Sequence, residues 1–311
     1  MLTVLATSPR VAPGLLSWEA WQVLRAAATV LAPAGHPQLP ALADAGIAYR
    51  VADAPADGPG SVVWLAPPGE SAGDWPGARV VHGSADLPGA RLLDLVVTMD
   101  RLRTDCPWDA GQTHESLVPH LLEEPYEALE AFESGDEQAF CEELGDVLLQ
   151  VVFHARIAAE RDDGTSFTID DVADGIVTKL VRRHPHVFAD VTVSGADDVK
   201  RNWDEIKREE KRALAERQGT GQVAPSALDG VPFGQPALAL AAQLQRRAAR
   251  GGVPDDLARL DGEAAVTPGE RIGRELFRLV AEAREAGCDP EMELRAAARA
   301  YRDLVRAWEH P

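Results

Sequence analysis

The spacing of hydrophobic positions along the chain changes near residue 90. Before that point, short apolar runs such as residues 2–6 and 61–65 alternate with stretches of helical spacing such as residues 18–31. Short strands that alternate with helices are typical of a small α/β unit. We therefore predict that residues 1–88 form an α/β segment without a catalytic role.

After residue 90 the apolar positions follow the helical period almost without interruption. The Gly- and Pro-rich residues 218–235 interrupt it and indicate a linker. We therefore predict a mainly all-α chain, with one helical domain over residues 89–217 and another over residues 236–311. The expected helices cover residues 92–103, 117–132, 137–161, 168–184 and 197–217, followed by two or three more over residues 236–309.

Local signals indicate where two of these helices begin and how one of them packs. Thr168 and Asp171 form a capping box, in which each side chain caps the backbone N–H of the other. Thr267 and Glu270 form another, with a proline in the first turn. In the helix over residues 137–161 we expect one apolar stripe to be buried, formed by Phe140, Leu144, Val147, Leu148, Val151 and Ala155.

Composition and charge exclude several classes of protein. The net charge of −19 argues against a general nucleic-acid binder, because such a protein needs a basic face. No apolar run approaches the ~20 residues that cross a bilayer, so we expect no membrane-spanning segment. The 3 cysteines are widely spaced and odd in number, which favours a reducing, cytoplasmic location over a disulfide framework.

The charges are segregated along the chain. Residues 104–155 contain thirteen Asp and Glu but no Lys or Arg. All four lysines come later, at Lys179, Lys200, Lys207 and Lys211. A metal–phosphate site requires an acidic block and a cationic block of this kind, although two solvated helix faces would give the same pattern.

Two pairs of carboxylates in the acidic block lie at helical spacing. Glu124 and Glu127 share a face of one helix, and Glu143 and Asp146 share a face of the next. If the helices are antiparallel neighbours, four carboxylates meet and repel one another unless a cation intervenes. Oxygen ligands of this kind favour Mg²⁺ or Mn²⁺, whereas the alternative is that both pairs face water. A di-iron bundle would need Glu-x-x-His, and none of the 8 histidines follows an acid at that spacing.

Cationic and aromatic side chains in the later block could bind a polyphosphate. Lys179, Arg182 and Arg183 share one face of a predicted helix, and arginine can hold phosphate oxygens in a bidentate manner. Trp203 and Lys207 lie at i, i+4 on the following helix, where the indole could stack on a base or simply join the core. The chain has no Gly-x-x-x-x-Gly-Lys phosphate loop, which excludes a P-loop mechanism.

Residues 92–211 resemble the MazG-type nucleotide pyrophosphohydrolases. The family pattern of Glu-Glu-x-x-Glu, a spacer and Glu-x-x-Asp is met by Glu123, Glu124, Glu127, Glu143 and Asp146. Flanking segments also match, among them Cys106-Pro-Trp-Asp, Gln112-Thr-His, Lys179-Leu-Val-Arg-Arg-His-Pro-His-Val-Phe and Asn202-Trp. Two positions depart from the pattern. Val181 stands where Glu is usual, and Pro125 lies inside the acidic motif, where the helix would begin, kink or tolerate strain.

The resemblance implies a helical bundle completed by dimerisation. It implies Mg²⁺ ligation by four carboxylates, those of Glu124, Glu127, Glu143 and Asp146, and it implies nucleotide contacts from Lys179, Arg183 and Trp203. The expected reaction is hydrolysis of NTPs and dNTPs to a nucleoside monophosphate and pyrophosphate, which would clear unwanted nucleotides. Glu123 is our candidate to orient or deprotonate the attacking water. The alternatives are a non-hydrolysing Mg–nucleotide sensor and a hydrolase of a nucleotide alarmone or an oxidised dNTP.

Two further segments resemble parts of related proteins. At an offset of 128 residues, the apolar pattern of the acidic helix repeats near the C-terminus, but Arg271 and Arg274 replace Glu143 and Asp146. Since arginines cannot hold magnesium, we expect this second copy to be catalytically dead and retained for packing or dimerisation. Residues 2–65 resemble the beginning of a tetrapyrrole methylase but are too short to form a complete one.

Overall fold

The computed structural model describes residues 2–56, 60–68, 70, 75–217, 226–254 and 267–310. By the density of contacts, the chain divides into two compact units, residues 1–178 and 179–311. This division falls inside the helical domain that we predict over residues 89–217, and those domain boundaries stay a prediction. Each unit is described by itself below.

The first unit begins with a parallel sheet of five strands, so the prediction of a small α/β segment is confirmed. The strands follow the order β3-β2-β4-β1-β5, with Val4 of β1 opposite Trp64 of β4 on one side and Val80 of β5 on the other. The strands and the two helices between them are β1 (Leu2–Ala6), α1 (Trp18–Ala26), β2 (Thr29–Ala32), α2 (Leu39–Asp44), β3 (Arg50–Val51), β4 (Val62–Leu65) and β5 (Arg79–His82). The resemblance of this segment to a methylase stays a prediction.

Both faces of this sheet are buried, which explains the uninterrupted apolar runs of its strands. Leu5 packs with Leu24 of α1 and Leu42 of α2 on one face. Neighbouring side chains of a strand point to opposite faces, and Val4 accordingly joins Trp64 in a second cluster. The sheet therefore has a core of its own.

An arginine joins the sheet to the first long helix. The buried side chain of Arg10 lies in the loop after β1, and its Nε donates to Asp94 Oδ1 at 2.8 Å. The same guanidinium pairs with Asp86, which follows β5. Because Asp94 belongs to α3 (Arg91–Asp105), this ion-pair network ties the α/β segment to the helices that follow.

The next helices of the first unit are α4 (Pro107–Ala110), α5 (His114–Ser134) and α6 (Glu137–Ala158). Their core contains Met99 of α3, Leu117 of α5, and Val152 and Phe153 of α6. The helical fold predicted from the sequence is therefore confirmed. The ends of α6 and α5 differ from the predicted bounds by two or three residues.

Helix α5 is continuous through both of its prolines. Its N-terminus is capped by Thr113, whose side chain accepts from the backbone N–H of Ser116, and it ends at Gly135, with φ 75°. Pro119 and Pro125 both lie inside it. Of the alternatives left open at Pro125, a helix that begins at Glu124 is therefore excluded, and the hydrogen bonds lost at the prolines are tolerated within one helix.

The predicted burial of the apolar stripe on α6 is wrong in part. Leu144 is 48% exposed and Val151 37% exposed, whereas Val152 and Phe153 are buried. The physical reason is the position of the neighbouring helices, since α3 packs against the face of α6 that carries Val152 and Phe153. Ala155 alone of the six stripe residues is fully buried.

Helix α7 (Ile169–Arg183) crosses the boundary between the units, and the second unit continues with α8 (Pro185–Phe188), α9 (Ala196–Arg217), α10 (Ala237–Arg250), α11 (Pro268–Glu285) and α12 (Pro290–Glu309). Both predicted capping boxes are present: Thr168 N donates to Asp171 Oδ2 at 2.7 Å, and Thr267 N donates to Glu270 Oε2 at 3.0 Å.

Residues 218–225 of the predicted linker lie outside the described residues. No helix among those described is long and apolar enough to cross a membrane.

Candidate active site

The α5–α6 hairpin brings three of the predicted metal ligands together. The two helices are joined by Gly135 and Asp136, and they pack against each other. One carboxylate oxygen each from Glu124, Glu127 and Glu143 lies within 4.8 Å of the other two. The turn and the helical spacing are enough to produce this convergence, as the sequence predicts.

The carboxylates in this cluster disfavour one another's negative charge. Burial is the largest cause of the raised pKa of Glu124, followed by the charges of Asp146, Glu127 and Glu143. The pKa of Glu143 is also raised, by burial first and then by Glu127 and Asp146. Asp146 lies outside the 4.8 Å group, but its charge acts on both of these glutamates.

No arginine or lysine in the described parts of the chain forms a salt bridge with Glu124, Glu127 or Glu143. Some other carboxylates of the first unit are paired with an arginine, among them Glu160, whose Oε1 accepts from Arg103 Nε at 2.8 Å. A cluster of acids that protein cations do not neutralise has the chemistry of a site for a hard divalent cation. Glu124, Glu127 and Glu143, with Asp146 beside them, could hold such an ion.

Glu123 lies outside this cluster. Its side chain is 63% exposed, and Glu123 Oε2 lies 3.4 Å from Nδ1 of His120, one turn earlier on α5. The neighbouring Glu124 points into the cluster instead, because successive residues of a helix differ by about 100° in direction.

The predicted cationic residues lie in the second unit, at the end of α7 and on α9. Arg183 lies over the ring of Trp203, 5.3 Å from the ring centroid to Cζ. Trp203 also meets the ring of His184 edge-on at 4.9 Å, so the indole takes part in local packing. Lys179 is exposed, whereas Lys207 is half-buried. Arg183 and His184 therefore both contact the indole of Trp203.

The sequence reasoning missed Glu210, which binds both arginines of this group. Its Oε2 accepts from Arg183 Nη2 at 2.6 Å, and its Oε1 accepts from Arg182 Nη2 at 2.6 Å. Both arginines lower the pKa of Glu210, mainly through the hydrogen bond from Arg183. The only available signal was its position seven residues after Trp203, which places both residues on one face of α9.

A pair of histidines in the first unit was also missed. Nδ1 of His114 lies 2.7 Å from Nδ1 of His154, and the two rings are stacked with centroids 5.0 Å apart. The two residues are 40 positions apart, and no sequence spacing relates them. Since one nitrogen must donate and the other accept, the pair requires at least one neutral ring.

The C-terminal helices carry no comparable cluster among their described residues. On α11 the carboxylates of Glu275 and Glu282 both pair with Arg278, one turn away on either side. Val280 is 1% exposed, and Val152, its counterpart at the offset of 128, is 4% exposed. The apolar pattern of the two helices is therefore shared, while the carboxylate cluster is not.

Comparison with known proteins places this chain among nucleotide pyrophosphohydrolases. The model of the MazG nucleotide pyrophosphohydrolase domain matches residues 112–188, which include α5 and α6. An uncharacterised 26.1 kDa protein of Streptomyces cacaoi is 49% identical over 244 residues, which cover 78% of this chain and 92% of that protein. A nucleoside triphosphate pyrophosphohydrolase of Mycolicibacterium smegmatis is 41% identical over 75% of this chain and 64% of its own length.

Two proteins of Thermotoga maritima are also similar. One is named nucleoside triphosphate pyrophosphohydrolase/pyrophosphatase MazG and is 38% identical over 70% of this chain and 84% of that protein. The other is a mazG-related protein of known crystal structure, which is 27% identical, covers 37% of this chain and 98% of its own, and has a TM-score of 0.33. The expectation of an enzyme of this kind is confirmed by the sequence relatives, and the chain belongs to the MazG nucleotide pyrophosphohydrolase family.

Proposed function

We propose that this protein hydrolyses nucleoside triphosphates and their deoxy forms to a nucleoside monophosphate and pyrophosphate, with a divalent cation held by the α5–α6 hairpin. The observation that carries the proposal is that carboxylate oxygens of Glu124, Glu127 and Glu143 lie within 4.8 Å of one another, and none of the three forms a salt bridge with a described arginine or lysine. Relatives named for this reaction support it. We further propose that the enzyme acts in the cytoplasm and clears unwanted nucleotides.

The donor set of the site suits Mg²⁺, with Mn²⁺ as a substitute. It consists of carboxylate oxygens alone, and hard cations of this size prefer such ligands over nitrogen and sulfur. We propose that Glu124, Glu127, Glu143 and Asp146 are the ligands. A bound cation would supply positive charge to the phosphate oxygens and would make a water more acidic.

We propose that the cationic residues of α7 and α9 bind the rest of the nucleotide. Lys179, Arg182, Arg183 and Lys207 would offset the negative charge that develops on the leaving pyrophosphate. Trp203 would stack on the base, since every base offers a flat face to an aromatic ring. Glu123 lies outside the cluster and next to Glu124, and we keep it as the residue that orients or deprotonates the attacking water.

We propose that the working enzyme is a homodimer. None of the residues of α7 is buried, although Val172, Ile176 and Leu180 recur at i, i+4 and i+8 and form an exposed apolar face. Leu144 and Val151 on α6 are exposed as well. A second copy that covers these faces would remove apolar surface from water.

Light scattering tests the proposed dimer. We expect the wild type to be dimeric and Ile176→Glu to be monomeric. A monomeric wild type would contradict the proposal.

The reaction is tested by a product assay. Purified protein is incubated with each NTP and dNTP, either with Mg²⁺ or with EDTA, and pyrophosphate, orthophosphate and nucleoside phosphates are quantified separately. We expect equal amounts of pyrophosphate and monophosphate, in the presence of Mg²⁺ only. A diphosphate with orthophosphate would contradict the proposed bond cleavage. Nucleotide binding without any product would identify a sensor instead, and turnover of an alarmone or an oxidised dNTP alone would identify the narrower hydrolase.

A further inference from the structure

One carboxylate in the second unit holds two arginines. Glu210 Oε2 accepts from Arg183 Nη2 at 2.6 Å, and its Oε1 accepts from Arg183 Nε at 3.3 Å. Oε1 also accepts from Arg182 Nη2 at 2.6 Å. Both oxygens of Glu210 are therefore used by guanidinium groups.

The contact with Arg183 uses the edge of the guanidinium that would otherwise bind phosphate. An arginine presents Nε and one Nη nitrogen side by side, and this pair matches two oxygens of a carboxylate or of a phosphate equally well. Glu210 occupies this pair on Arg183. A phosphate can make the same bidentate contact only if the carboxylate of Glu210 moves away.

Arg183 is held in position by other contacts besides Glu210. Its guanidinium lies over the ring of Trp203, and the side chain is only 15% exposed. Trp203 is in turn packed against His184, whose Nδ1 lies 2.7 Å from the carbonyl oxygen of Leu180. The guanidinium of Arg183 can therefore remain over Trp203 when Glu210 moves away. Glu210 is not needed to position Arg183, and its carboxylate instead competes with a phosphate for the guanidinium.

We propose that Glu210 is an internal substitute for a substrate phosphate group, which occupies the arginine pair until a polyphosphate displaces it. The inference rests on the proposed function, because it takes Arg182 and Arg183 as phosphate ligands. The side chain of Glu210 is 21% exposed and ionised, so an incoming polyphosphate can reach it and must overcome its charge. Glu210 thereby weakens the binding of phosphoryl groups and speeds the release of pyrophosphate.

The test is the binding of methylenediphosphonate, a pyrophosphate analogue that is not hydrolysed, measured by calorimetry with Mg²⁺ at fixed ionic strength. We expect Glu210→Gln to bind the analogue about 10-fold more tightly than the wild type, because each 1.4 kcal/mol of competing interaction is worth a factor of ten. Glu209→Gln is the matched control, since it removes the same charge from the neighbouring exposed position on α9. Its affinity should stay within about twofold of the wild type.

A double variant separates competition from a general change in charge or fold. In an Arg183→Gln background the gain from Glu210→Gln should be clearly smaller, because the Arg183 guanidinium is gone and the guanidinium of Arg182 alone remains to be released. An unchanged or weaker affinity of Glu210→Gln, or no binding by either protein, would overturn the inference. The affinity for methylenediphosphonate is measured without turnover. A failure of the product assay would therefore contradict the proposed reaction, while the comparison of affinities would still test the role of Glu210.

Discussion

Helices α6 and α11 share an apolar pattern and differ in charge. Their valines Val152 and Val280 are both buried at corresponding positions. Glu143 and Asp146 of α6 correspond to Arg271 and Arg274 of α11. Both segments are therefore helices that bury the corresponding valine, although the residues at the charged positions differ.

The carboxylates of α11 and those of the α5–α6 hairpin also have opposite electrostatic surroundings. On α11, Arg278 neutralises Glu275 and Glu282, as on an ordinary solvated helix. In the α5–α6 hairpin the pKa of Glu124 and that of Glu143 are raised by burial and by the neighbouring acids. A repulsive arrangement of this kind lowers the stability of the protein, and it is understandable where an ion is to be bound. In the proposed function, the α5–α6 hairpin therefore carries the chemistry and α11 contributes only to packing.

The largest expected effect comes from removing one carboxylate of the cluster. Glu124→Gln should reduce turnover by more than about 100-fold, since even residues that merely support a metal ligand cost 10–100-fold when replaced. Without divalent ions, the same variant should melt at a higher temperature than the wild type, because one repelling charge is gone. Glu275→Gln on α11 is the matched control and should leave turnover unchanged. Substantial turnover by Glu124→Gln would refute its assignment as a ligand.

The shared apolar pattern is tested at the buried valines of α6 and α11. Val152→Ala and Val280→Ala should each lower the free energy of unfolding by about 1.5–3 kcal/mol, because each removes buried methyl groups and leaves a small cavity. Denaturant titration of both variants gives the two values. A much smaller loss at Val280 would mean that α11 does not pack as α6 does.

A smaller effect is expected on the stability of the protein when the pH is lowered. The pKa of His154 is lowered, by burial first and then by the charge of His114. The folded state therefore favours the neutral ring, so the contribution of this pair to stability is complete above the unfolded pKa of about 6.5 and is lost as the pH falls below it. We expect the melting temperature to drop between pH 7.5 and pH 5.5, and His154→Asn to flatten this dependence. Glu282 of α11 corresponds to His154 at the offset of 128 and is not part of the histidine pair. Glu282→Gln should therefore leave the dependence of the melting temperature on pH as it is in the wild type.

The smallest expected effect concerns the arginines that replace the ligands on α11. Arg271→Gln combined with Arg274→Gln should leave kcat within about twofold of the wild type, because we expect the second copy to contribute no group to the reaction. Steady-state kinetics with the preferred nucleotide checks this. A large loss of kcat in the double variant would show that the second copy takes part in catalysis.

The sequence was sufficient to predict the α/β segment, the helices and the convergence of Glu124, Glu127 and Glu143. Those features depend on local periodicity, on a short turn and on i, i+3 spacing, all of which can be read along the chain. The predicted burial of Leu144 was wrong because periodicity shows which face of a helix is apolar, but not which neighbour covers it.

Contacts between distant residues could not be predicted in the same way. Glu210 meets Arg183 because α9 packs beside the end of α7, and His114 meets His154 because α5 and α6 are neighbours. Neither pair has a spacing that distinguishes it from a solvated charge or a core histidine. Their partners become evident only when the helices are placed in space.

The most direct test of the central claim measures metal binding and turnover together. Mn²⁺ is titrated into the wild type and into Glu124→Gln while the unbound ion is followed by electron paramagnetic resonance and turnover is recorded at each concentration. The account predicts saturable binding by the wild type, turnover that rises in proportion to occupancy, and the loss of both in Glu124→Gln. Full turnover of the wild type in EDTA, or unchanged Mn²⁺ binding by Glu124→Gln, would contradict the claim that this carboxylate cluster is a catalytic metal site.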